Sequence, residues 1–189
     1  MIFFFKFIKH SSIRFIHIFK VKVMEEKKKP DWSNFTVNLP INQPEEKISE
    51  FWLTQENLEK WFLKLAEFKS AEGTQRARTE MIEPGDTYRW QWHGWPENIE
   101  ETGKLLKPKS GEFLRFVFGK AGIVGVSLVK ENNQTILRLV QENIPTDEES
   151  RMNFYTGCKT GWTFYMLNLK SVLQGGPDLR NKRSELKMD

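Results

Sequence analysis

Cysteine and histidine are scarce: the chain has 1 and 3 of them among 189 residues. His10 and His17 fall within the first 23 residues, which leaves His93 alone in the body of the chain. A single cysteine forms no internal disulfide, which suits a reducing cytoplasm, the location expected here. Cys158 has no second thiol and His93 no second histidine nearby in sequence, so neither founds a zinc site. A Ser-His-Asp triad would have to use His93, and no serine sits in a nucleophile-elbow glycine pattern. Gly119-Lys120-Ala121-Gly122 lacks the length and the following Lys-Ser/Thr of a phosphate-cradling loop, and it reads as a turn. The neighbouring pairs Glu100-Glu101 and Glu148-Glu149 point apart in regular structure and read as solvated carboxylates. No cofactor, no metal and no convincing catalytic set are expected.

Long apolar runs are missing as well. Met1 to Val23 is rich in Phe, Ile and Lys, but a base interrupts every short run, so it cannot be a membrane span or a secretory signal. An amphipathic surface anchor fits it less well than a start of translation at Met24, with 1–30 as a leader outside the fold. Acidic residues are also absent before Met24. Setting aside the 5 bases there (Lys6, Lys9, Arg14, Lys20, Lys22) leaves 24 basic residues against 25 acidic ones, a net charge of −1. The pI near 9.1 therefore gives no footprint for phosphate, and no nucleic acid is expected as a partner.

Aromatics, in contrast, reach 13%, with 7 Trp and 15 Phe. Side chains this large must fill a core, line a cavity or form a contact surface. Phe154, Cys158, Trp162, Tyr165, Leu169 and Leu173 recur at steps of three and four, one face of a long helix. Thr146 to Glu149 has the spacing of a capping box, and Gly175-Gly176-Pro177 writes the stop. Gly157 and Gly161, four apart, cost about 1 kcal/mol each within a helix. Either a close strand or ligand compensates, or the helix bends.

Upstream, Phe35–Ile41 reads as a strand, and 44–65 reads as two short helices with Thr54 capping the second. Turn signals then separate six strand-like runs: Thr74–Ile82, Thr87–His93, Ile99–Lys107, Glu112–Phe118, Ile123–Lys130 and Thr135–Glu142. Tyr88, Trp90 and Trp92 share one face of the second run, and Arg89, Gln91 and His93 share the other. The class is α+β: a curved antiparallel sheet wrapped around a long C-terminal helix, the helix-grip arrangement. One domain is expected over 31–181, followed by a tail over 182–189.

Three stretches carry a family resemblance: Phe118-Gly119-Lys120-Ala121-Gly122-Ile123-Val124, then Gln141 through Asp147, then Gly161-Trp162-Thr163-Phe164-Tyr165 through Asn168–Leu173 to Gly175-Gly176. They resemble the START-like (SRPBCC) superfamily, in the branch named for the C-terminal domain of the activator of heat-shock protein 90 ATPase. The resemblance covers Asp31 to about Asn181. It implies a cavity between sheet and helix that holds a small apolar or amphipathic molecule. The cavity-lining candidates are Trp90, Trp92, Phe116, Phe118, Leu139, Trp162, Tyr165 and Leu169, which would equally suit a solid core. The branch also implies a second role, as a chaperone-associated or stress-response domain. A third, enzymatic role would need Arg89, Glu80 or His93 to point inward.

Overall fold

The architecture follows from two periodicities: alternation in the strands and a three-to-four spacing in the helices that cover them. In the computed structural model of the chain, residues 30–183 are described. The readings made for the leader, including the start at Met24, lie outside them, as do the last six residues.

Strand β1 (Phe35–Pro40) leads into α1 (Glu45–Leu53) and α2 (Gln55–Trp61). The second helix begins where Thr54, in extended conformation, accepts the Asn57 amide at 3.3 Å through Oγ1. β2 (Leu65–Lys69) and β3 (Thr87–Gln91) follow, then β4 (Glu101–Lys104), β5 (Glu112–Val117), β6 (Ile123–Glu131) and β7 (Gln134–Glu142). All strand pairs are antiparallel, in the orders β1-β7-β6-β5 and β2-β3-β4. A bridge between Leu105 and Phe116, with the Leu106 amide donating to the Arg115 carbonyl at 2.8 Å, links the two sheets edge to edge. The continuous surface curves around the C-terminal helix, a helix-grip fold.

Three sequence assignments are corrected. Leu65, read as helical, opens β2. Residues 61, 62 and 65 satisfy helical spacing, but buried Ala66 and Phe68 set the alternation of a strand. Thr74–Ile82 is a loop with two isolated bridges, Lys69 to Gln75 and Thr54 to Met81. Its organising residue is Arg76, which pairs with buried Asp86 and with Glu80 and Glu83, so side-chain ion pairs replace a ladder. The run Ile99–Lys107 contracts to four paired residues before crossing to β5.

Two backbone positions explain their sequence. Asn132 and Asn133 have φ of 48° and 63°, which closes a two-residue hairpin between β6 and β7 in the hand that matches strand twist. Gly122 has φ of 102° and lies so close to the Glu142 carbonyl that no Cβ fits.

The long helix starts one residue later than the capping box implied. Asp147, not Thr146, is the cap: its carboxylate accepts the Ser150 amide at 2.9 Å and the Ser150 hydroxyl at 2.6 Å. Asp is a stronger cap than Thr, and the negative charge suits a helix N-terminus. A turn, α3 (Glu148–Ser150), passes into a π-helical segment, Arg151–Thr156, and then α4 (Gly157–Leu173). At the end, Gly175 (φ 77°) and Gly176 donate to the Val172 and Ser171 carbonyls in a Schellman closure.

Beyond the helix the chain is strapped back onto the domain. The Leu179 amide donates to Asn168 Oδ1 at 2.7 Å, and Asn168 Nδ2 donates to the Trp61 carbonyl at 2.7 Å. The Arg180 guanidinium donates to the carbonyls of Glu59, Lys60 and Leu63, at 2.8 to 3.0 Å. Those of Glu59 and Lys60 are among the carbonyls that α2 leaves unpaired at its C-terminus, and Leu63 follows two residues beyond it.

The core between sheet and helices is largely aromatic. Trp52, Trp61, Phe62, Phe68, Trp90 and Phe116 are all buried. Phe62 alone has ring contacts with Trp61, Trp90, Trp92, Trp162 and Tyr165, mostly edge-on, as the quadrupoles prefer.

Candidate functional site

Where the sheet ceases to touch the helix, a cavity of about 360 Å³ remains. Phe62, just after α2, and Phe118, at the end of β5, form part of its wall. Trp92, Trp95 and Ile99 come from the β3–β4 connection, and Asn153, Gly157, Cys158, Gly161, Trp162 and Tyr165 from the long helix. The volume falls at the small end of ligand-binding pockets, and the lining is apolar with a few polar groups, the usual make-up of such sites.

Of the eight candidates, Trp92, Phe118, Trp162 and Tyr165 stand on the cavity wall. Trp90, Phe116, Leu139 and Leu169 do not: they are packed in the core, with Phe116, Leu139 and Leu169 fully enclosed. Strand alternation and helical spacing put residues on the inner faces of sheet and helix, but depth between those faces decides between core and cavity, and periodicity carries no depth. Trp95, Ile99, Phe62, Asn153, Gly157, Cys158 and Gly161 also stand on the wall and were not among the candidates. The first two sit in an irregular connection where no period exists. Trp95 follows Gly94 (φ 80°), precedes Pro96 and is 46% exposed, so its indole forms part of the cavity mouth.

Trp162 belongs to both core and wall. It is 2% exposed, and its Nε1 donates to Gln141 Oε1 at 2.9 Å. Gln141, fully buried, in turn donates from Nε2 to the Ala121 carbonyl at 2.8 Å. The indole is thus oriented by a satisfied polar chain, which the sequence pattern gave no means of pairing.

The two helix glycines have a clear consequence. A Cβ at Gly161 would meet nothing within 4 Å, and at Gly157 only the Met152 carbonyl, at 3.5 Å. No strand comes close to either. Gly161 opens onto the cavity, and Gly157 ends the π-helical segment by donating to the Met152 carbonyl five residues back. Such segments often accompany functional sites.

The titratable groups are quiet. Burial pushes the Cys158 thiol up, so it behaves as a small hydrophobe. Burial also pushes Tyr165 up to about 12, and its hydroxyl has no hydrogen-bond partner among the described residues. The residues an enzymatic role would need lie elsewhere. Arg89 faces outward between Glu67 and Glu100, and Glu80 pairs with Arg76. His93 sits in the turn after β3, its pKa lowered by burial and by Arg180 and Lys182. Glu101 departs from the expected solvated pair: Glu100 is exposed, whereas Glu101 is half-buried, and burial raises its pKa.

Among the described residues no helix is long and apolar enough to cross a membrane. A curved antiparallel sheet gripping a long C-terminal helix, with an apolar cavity between them, defines a START-like module. The chain matches the family described as Activator of Hsp90 ATPase homolog 1-like protein over residues 42–174, and it belongs to that family. No curated protein matches it. Solved structures give the same fold. A Staphylococcus saprophyticus protein is 17% identical, with a TM-score of 0.57 over 78% of this chain and 96% of its own. The Aha1 dimer from Colwellia psychrerythraea is 19% identical, with a TM-score of 0.55 over 76% and 97%. A Mesorhizobium loti protein is 15% identical, with a TM-score of 0.56 over 76% and 98%.

Proposed function

We propose that this domain is a non-catalytic carrier or sensor that encloses a small apolar or amphipathic molecule between its sheet and its C-terminal helix. The observation that carries the reading is Gly161. A glycine inside a regular helix is unfavourable by about 1 kcal/mol, and here it touches no other element. What it provides is room in an aromatic-walled cavity. The half-buried polar groups at hand, the Cys158 thiol and the Tyr165 hydroxyl, suit an amphipathic guest better than a pure hydrocarbon. Native mass spectrometry of protein purified gently from its own host is expected to show a non-covalent adduct of small-molecule mass. A bare chain under those conditions, with no take-up of any added apolar compound, speaks against the reading.

A second reading is supported by the outer face of the same helix. Phe164 and Leu167, three apart, are 39% and 46% exposed, and the family description names a chaperone ATPase activator. In this reading the domain docks on a chaperone through that stripe. Charged substitution of both residues then abolishes stimulation of the chaperone's ATPase; unchanged stimulation, or none from the unaltered domain, removes this reading.

A further inference from the structure

One carboxylate on the inner face of the sheet lacks a counter-ion. Glu101 stands opposite Trp90 in the β3–β4 ladder, and residues opposite one another in an antiparallel pair project to the same face. Its side chain is therefore on the side of Tyr88 and Trp90, toward the helix, while Glu100 is paired with Arg89 outside. The carboxylate lies over Gly119, where an added Cβ would stand 2.6 Å from Oε1. Phe118, beside Gly119, and Ile99, two residues before Glu101, both line the cavity. No basic side chain pairs with Glu101 among the described residues; the Thr102 amide beside it only partly offsets the effect of burial. The nearby bases are engaged or directed elsewhere: Lys159 lies over the Tyr155 ring, Arg151 over the Trp32 ring, and Lys120, next to Gly119, is exposed and forms no ion pair with Glu101.

An ionised group partly withdrawn from water without a partner carries part of its desolvation cost, and a partner that arrives with the ligand would recover it. The cavity wall beside Glu101 favours the same charge. Six rings (Phe62, Trp92, Trp95, Phe118, Trp162 and Tyr165) surround the space, and aromatic faces attract cations. We infer that Glu101, just outside the wall beside Phe118 and Ile99, is the polar anchor at the rim of the cavity and that the guest is an apolar, ring-bearing molecule with a protonated amine. This rests on the ligand-cavity reading above.

The test uses three isosteric probes at pH 7.5: 1-naphthylmethylamine, 1-naphthalenemethanol and 1-naphthoate, titrated calorimetrically into the full chain. The amine is expected to bind roughly 10-fold or more tightly than the alcohol, and naphthoate most weakly, because a charge-assisted hydrogen bond is about twice as strong as a neutral one. Glu101→Gln should reduce amine affinity by about the same factor and leave the alcohol within about twofold. Equal affinity for amine and alcohol in the unaltered protein overturns the anchor while the cavity stands. So does an amine affinity that Glu101→Gln leaves unchanged. If none of the probes binds, the anchor and the cavity reading fall together. The comparison within the unaltered protein holds even where the variant folds poorly.

Discussion

Trp162→Ala is expected to lose about 3–5 kcal/mol of stability, the range for truncating a fully buried aromatic residue. The ring is in contact with Phe62, Phe118, Trp52 and Phe116, at centroid separations of 5.1 to 6.2 Å, so its removal opens the centre of the core into the existing cavity. It also leaves the Oε1 of fully buried Gln141 without its donor, a further cost of about 1–3 kcal/mol where water cannot enter. The enlarged cavity admits water in this variant, which holds the total within the stated range. Trp162→Phe keeps most of the packing and loses the donor, so it should be milder, by about 1–3 kcal/mol. Urea unfolding measures both. A Trp162→Ala midpoint equal to that of the unaltered protein would mean that the helix is turned the wrong way.

Arg180→Ala is expected to destabilise by about 3–5 kcal/mol, the usual result of deleting one partner of a buried charged pair. Its side chain is 2% exposed, and it satisfies three carbonyls at and just beyond the end of α2 as well as Asp178. Arg180→Lys should recover only part, because an ammonium cannot reproduce the planar fork. The effect has a pH signature. Burial alone would raise the Asp178 pKa, but hydrogen bonds from Arg180 and Lys182 outweigh it and hold the carboxyl well below the usual carboxylate range. A pKa lower in the folded than in the unfolded chain adds stability that is complete above the unfolded value, about 4, and lost as pH falls through the folded one. The gap between unaltered protein and Arg180→Ala should therefore narrow from pH 7 toward pH 2. A constant gap would place the loss in packing and carbonyl capping rather than in the ion pair.

How much of this was readable in the sequence depended on whether a residue's role is local. The two helices, the hairpin at Asn132-Asn133, the stop at Gly175-Gly176 and the inner face of the long helix all follow from spacing and turn chemistry within a few positions. The helix start was displaced by one residue because Thr146 and Asp147 both qualify as caps, and only the backbone path decides between them. The Thr74–Ile82 loop was misread because its order comes from Arg76 reaching Asp86, a contact that no alternation encodes. In the site, Trp92 and Trp90 have the same pattern yet different fates, since one is at the cavity and the other is sealed beneath Phe62 and Phe116. Glu101 was likewise indistinguishable from Glu100 until the register with Trp90 set its direction.

The central claim, a guest-sized space made by a helix glycine, is tested most directly by titrating Nile red into the unaltered protein and into Gly161→Leu. A leucine there should project into the cavity and take up part of it, and its Cβ would meet nothing within 4 Å. Leucine is also a better helix former than glycine, by somewhat less than the roughly 1 kcal/mol that separates glycine from alanine, so the variant should unfold at an equal or higher midpoint. The unaltered protein is expected to give a saturable, blue-shifted emission at one site. Gly161→Leu should bind the dye at least about 10-fold more weakly, the factor that loss of about 1.4 kcal/mol of contact produces. Equal dye affinity in the two proteins, or no saturable binding to the unaltered one, would contradict the account.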